Sequence, residues 1–145
     1  MPMVDKNLIL RKLTELEEYL HQVSEYSTIS VEEYTESWKT QRIVERTLQI
    51  MIELCIDIAG HIISDKKLRM PVSYADTFRV LFECRLIAPE TYSVMEKMAK
   101  FRNIVIHQYE KIDAVIVVMI LQKHLSDFLT FRDELLAILG DDAKR

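Results

Sequence analysis

VERTLQIMIELCIDIAGHII, residues 44–63, decides the fold. Leu48, Ile52, Cys55, Ile58 and Ile62, with Ile43 just upstream, recur at helical intervals and supply a broad apolar face. Gly60 is the only breaker, and at about 1 kcal/mol in a helix interior it does not end the pattern. With WKTQR before it and Ser64 after it, the stretch predicts one long core helix.

The flanking sequence resolves into more helices. Upstream, Leu8, Leu13, Leu16, Leu20 and Val23 give a stripe for a helix over roughly 4–25. YSTISVEEY breaks it, and Ser30 followed by Glu33 is a capping-box pattern that restarts helix. Downstream, SDKKLRMPVS is polar, holds Pro71 and reads as the one real loop. Ser73 then N-caps a short helix through SYADTFRVLFECRL, with Asp76 at the capping-box position. Pro89 suits the first position of the next helix. Asp113 starts a last, very apolar helix that Gly140 is placed to cap. About five helices with short connections and no alternating strand pattern predict an all-α bundle, one domain over 1–145.

Composition narrows the function. Two glycines and three prolines in 145 residues favour long helices over turn-rich β structure. A net charge of −4 gives no global field to draw in nucleic acid or anionic lipid, so any polyanion must be held locally. Cys55 and Cys84 make no CxxC or disulfide framework, which predicts a reducing, cytoplasmic setting. The opening MPMVDKNLILRKL has an early acid and no apolar signal core. AVIVVMIL at 114–121 is short against the ~20 residues a bilayer span needs, so no membrane role is expected.

FRNIVIHQYEK at 101–111 interleaves polar and apolar residues on what reads as a core helix. On a wheel of about 100° per residue, Val94, Met98, Phe101, Ile104 and Val105 share one sector, the expected core face. Arg102, Asn103, His107 and Tyr109 occupy the opposite wedge together with Met95, Ala99 and Ile106. Apolar residues turned from the core need cover, and a homodimer partner is the economical choice. Arg102 and His107 stand about 140° apart, so a distortion near His107 would help them converge. By periodicity alone, a surface histidine capping a helix end fits as well.

These residue types suit one chemistry. Arginine holds a phosphate through paired hydrogen bonds, and histidine moves a proton near neutral pH. Together they fit metal-independent attack by an RNA 2′-hydroxyl on its own phosphodiester, with no cofactor. Asn103 would orient His107 or touch RNA, and Tyr109 would stack a base or donate to phosphate. The sequence lacks a Gly-rich phosphate loop and a G-x-S-x-G. Glu53, Asp57 and His61, spaced i, i+4, i+8, could present metal ligands. The better expectation is an acidic ladder that holds Arg102 or another arginine across the bundle. Arg42, Arg46, Lys97, Lys100 and Lys111 are placed to add local positive charge, while His21 and His124 fall among surface-type residues.

RNIVIHQY at 102–109 matches an R-x4-H-x-Y motif and resembles the HEPN superfamily, specifically the HepT-like toxins of HepT/MntA toxin–antitoxin systems. The helix at 44–63 and PVSYADTFRVLFECRLI with its proline-started successor are similar too, so the likeness runs from the first helix to about residue 137. The resemblance implies an all-helical homodimer whose two motifs line a shared cleft, and a metal-independent endoribonuclease. It implies Arg102 and His107 as catalytic residues, with Asn103 and Tyr109 in support. It also implies a nucleotidyltransferase antitoxin of the MntA kind, which silences the toxin by transferring AMP to Tyr109. The expected substrate is RNA, with tRNA favoured, rather than DNA. A non-catalytic HEPN module that docks a nucleotidyltransferase or nucleotide is the alternative.

Overall fold

The computed structural model describes residues 5–143 as helices joined by short turns, with no strand among them. The order is α1 (Lys6–Val23), a 3-10 turn (Ser24–Tyr26), α2 (Val31–Glu36), α3 (Trp38–Asp65), α4 (Tyr74–Glu83), α5 (Pro89–His107) and a second 3-10 turn (Tyr109–Lys111). The last helix is one rod built from α6 (Ala114–Met119), a π turn (Ile120–His124) and α7 (Leu125–Ala143). The all-α expectation holds. The described residues form six helices, the five expected and the short α2.

Most of the boundaries follow from caps that are visible in the sequence. Ser30 Oγ accepts from Glu33 N–H at 3.1 Å while Glu33 Oε1 accepts from Ser30 N–H at 3.2 Å, a complete capping box. Ser73 caps α4 through Asp76 N–H at 3.0 Å, and Pro89 opens α5. One break was not expected. Ser37 takes extended backbone, ends α2 and caps α3 through Thr40 N–H at 3.2 Å. Gln41 then donates to the carbonyls of Tyr34 and Thr35, satisfying the end of α2. Gly140 does not cap the last helix, which continues to Ala143.

The core runs along α3, where Val44, Leu48, Met51, Ile52, Cys55, Ile58, Ala59 and Ile62 are completely buried. Ile43, expected on that face, is half exposed; Val44 takes its place. Likewise Ile9 rather than Leu8 begins the buried stripe of α1. Phe78 of α4 meets Phe131 of α7 edge to face at 5.6 Å, which joins those two helices within the core.

α5 differs most from its wheel. Met95 and Ala99, read as facing away from the core, are fully buried, while Val94, Ile104 and Val105 are only partly covered. α5 packs onto α3 and α4 through the small and flexible side, which splits the wedge: Arg102 and Asn103 turn inward while Ile106, His107 and Tyr109 stay exposed. The branched side instead borders α6 and lines an open apolar groove with Ile116 and Met119.

Two helices, Trp38–Asp65 and Ala114–Gly140, are long and apolar enough to cross a bilayer. The run at 114–121 understated the second, because its apolar residues continue beyond the π turn. Core helices pass the same test, and half of the first window is buried within the fold.

Candidate active site

Arg102 lies where α5 crosses α3, with its side chain only 13% exposed. Its Nε and Nη2 both donate to Glu53 Oε2, at 3.0 and 2.7 Å. Its Nη1 donates to Asn103 Oδ1 at 3.2 Å. Gln49, one turn before Glu53, donates weakly to the same carboxylate at 3.4 Å. Above the guanidinium lies the Tyr74 ring, its centroid 4.8 Å from Arg102 Cζ. The acidic ladder of α3 thus holds Arg102, as its spacing suggested.

The rest of that ladder is also committed. Asp57 pairs with Lys12 of α1 at 2.6 Å and stands 3.9 Å from His61. A carboxylate already paired with an ammonium and one paired with a guanidinium are poor donors for a metal ion. Glu53, Asp57, Tyr74 and Arg102, with Ile50, Leu54 and Ile56, line a cleft of about 430 Å³. Asn103 borders the neighbouring depression on the other side of Tyr74, together with Pro71, Val72 and Thr77.

His107 sits apart from this cluster. It is the last residue of α5, is exposed, and makes no hydrogen bond or ion pair among the described residues. After it, Gln108 leaves helical geometry (φ −134°) and the chain enters the turn at Tyr109–Lys111. Tyr109, 45% exposed, lies under Arg42 of α3, with Arg42 Cζ 4.9 Å from the ring centroid. α3 is therefore tied to α5 through Glu53 and Arg102, and to the turn that follows α5 through Arg42 and Tyr109. His107 falls between these ties along the chain.

A guanidinium has five N–H donors. Three are used by Glu53 and Asn103, which leaves two for a ligand. The charge is fixed in place without being saturated. His107, one and a half turns further on, presents an exposed imidazole with no contact to that guanidinium among the described residues.

The chain matches the family described as "Ribonuclease HepT-like" over residues 16–135. It belongs to the HepT-like ribonuclease family. Shewanella oneidensis "mRNA nuclease HepT" is 37% identical over 101 residues, which span 70% of this chain and 76% of the relative. Aphanizomenon flos-aquae "tRNA nuclease HepT" is 28% identical over 113 residues, 78% of this chain and 77% of that one. A solved structure of the tri-AMPylated Shewanella oneidensis HEPN toxin in complex with MNT antitoxin superposes with a TM-score of 0.83 at 31% identity. The match covers 93% of this chain and 99% of that one. The expected HepT-like helical fold and ribonuclease class therefore hold for this chain.

Two HepT-site neighbours escaped the sequence reading. Tyr74 follows an N-cap serine, so it read as a helix start rather than a roof over Arg102. Gln49 stands one turn before Glu53, a spacing that signals contact but not which residue lies across the bundle.

Proposed function

We propose that this chain is an endoribonuclease toxin in which Arg102 and His107 cut RNA without a metal ion, in a cleft shared by two copies. The observation that carries the reading is the pinned but unsaturated Arg102 guanidinium. Its two spare donors suit a phosphate in the bidentate manner, and they gain strength as negative charge builds on the phosphoryl oxygens.

The reaction follows from that arrangement. A ribose 2′-oxygen attacks the adjacent phosphorus and gives up its proton, the bond from phosphorus to the 5′-oxygen breaks, and the leaving oxygen takes a proton. A 2′,3′-cyclic phosphate and a 5′-hydroxyl result. His107 serves as the base or the acid, and Asn103 steadies the guanidinium. Within one copy Arg102 turns inward while His107 faces solvent, so the second proton carrier is assigned to a second copy across a two-fold axis.

The same reading gives the chain a nucleotidyltransferase antitoxin as partner, in a cytoplasmic setting, with AMP transferred to Tyr109. The phenol is exposed, and the Shewanella relative is AMPylated in its antitoxin complex. The two relatives are named for different RNAs, so tRNA is not favoured over mRNA on this ground.

Inducing the chain alone, beside its His107→Ala variant, tests this. Growth arrest with RNA cleavage in the wild type only is the expected result. Neither effect from either protein, with both folded and dimeric, would instead indicate a docking module.

A further inference from the structure

Of the exposed face at the start of α3, only Arg42 has entered the site as described, through its stack on Tyr109. Trp38, Lys39, Arg42 and Arg46 fall within an arc of about 100° on this helix. Trp38 is 65% exposed, with Lys39 Nζ 5.8 Å from its ring centroid. None of the three cations is in a salt bridge among the described residues. The only acid in the first three turns, Glu45, points into the core. A chain of net charge −4 thus carries a stripe of three exposed cations outside any salt bridge, with an aromatic ring at its end, although Arg42 also feels the buried Glu45 carboxyl behind it.

The stripe leads into the candidate site. Gln49, Glu53 and Asp57 continue the same arc of α3, so it runs from Trp38 to the carboxylate that holds Arg102. Over the ~16 Å from Arg42 to Glu53 it lies beside the end of α5 that carries His107. Arg42 stacks on Tyr109, which supplies a second exposed ring. Cations at successive turns beside aromatic faces make the surface that binds single-stranded nucleic acid. Phosphates take the charges and bases take the rings.

We propose that the Trp38–Lys39–Arg42–Arg46 face of α3 is the track that binds single-stranded RNA beside the cleavage site. The proposal deepens the ribonuclease reading and rests on it. A duplex would present its phosphates but keep its bases stacked, leaving Trp38 and Tyr109 unused.

The test uses the dimeric His107→Ala chain, titrated with a fluorescein-labelled, unstructured RNA of about a dozen nucleotides and with a duplex of the same length. In that background, Arg42→Ala with Arg46→Ala should lower the salt slope of log K by about 0.7 per lost phosphate contact. Trp38→Ala should weaken single-strand binding about tenfold with little change in slope. In the chain with His107 intact, the losses should fall on KM rather than kcat, and Arg42→Lys should recover the slope. An unchanged slope in the double variant, no binding by the parent, or equal losses for duplex and single strand would each overturn the proposal. Dissociation of the dimer by Trp38→Ala would assign this face to the contact between copies instead. If the parent binds RNA through the stripe but the wild type cuts none, the ribonuclease reading fails while the track stands.

Discussion

At the scale of single residues, Arg102 and His107 have opposite surroundings and should respond differently to substitution. Arg102→Ala removes both donors from Glu53 in a mostly buried setting. It should cost about 1–2 kcal/mol of stability as well as cleavage. His107→Ala removes an exposed side chain with no partner, so the melting temperature should hold while cleavage falls about a hundredfold or more. Thermal melts beside cleavage rates separate the two; equal melting temperatures would contradict the burial of Arg102. The Glu53 contact was legible because acids one turn apart on a core helix need a cation. The orientation of α5 was not. Summing side-chain hydrophobicity favoured the branched residues Val94, Ile104 and Val105, whereas close approach of helices favoured Ala99 and the pliable Met95.

Between elements, buried and exposed polar contacts divide the work. Tyr34 of α2 donates to Glu45 Oε2 at 3.0 Å within the core, which fixes α2 against the start of α3. Burial raises the Glu45 carboxyl above its usual range, and the tyrosine hydrogen bond pulls it partly back. Tyr34→Phe should therefore destabilise the fold by about 1–3 kcal/mol in chemical denaturation. The loss should grow as pH rises above the ordinary carboxylate range, because the folded state then holds a buried charged carboxylate without its tyrosine hydrogen bond, eased only by the field of Arg42.

On the surface, Arg69 binds Asp76 at 2.7 Å and Glu83 at 2.7 Å, which ties the loop after α3 to α4. Those bonds hold both carboxyls below their ordinary values. Depressed carboxyls stabilise above the unfolded pKa near 4, and the gain is lost as pH falls through the folded values. Arg69→Ala should thus lower stability at pH 7 but lose its effect under strong acid. A deficit that persists unchanged at low pH would point to packing instead. Capping residues announced most helix starts, since a cap is a local event. The break at Ser37 was not announced, because it depends on Gln41 reaching back and on Tyr34 finding Glu45 eleven residues away.

For the whole molecule, an acidic chain that handles RNA must concentrate its positive charge. Most of its basic side chains with a partner in the fold serve internal pairs, as Lys12, Arg69, Arg102 and Arg132 do. The start of α3 instead aligns three cations outside any salt bridge on one face, with Arg42 beside the Tyr109 ring. Tyr109→Phe should leave most cleavage intact yet make the chain resistant to the antitoxin, read as growth arrest when both are induced. Full neutralisation of that variant would make steric blocking, rather than AMP transfer, the means of control.

The stack of Arg42 on Tyr109 then carries a consequence for how such silencing would work. A nucleotide joined to the phenol is tethered at the head of the α3 stripe, and its own base and phosphate match what the stripe binds. Tethering turns recognition into an intramolecular event, with an effective concentration on the order of millimolar. A contact too weak to hold free AMP would be occupied most of the time. Inhibition would then be a contest between an attached strand and a diffusing one, and excess RNA should relieve it through KM.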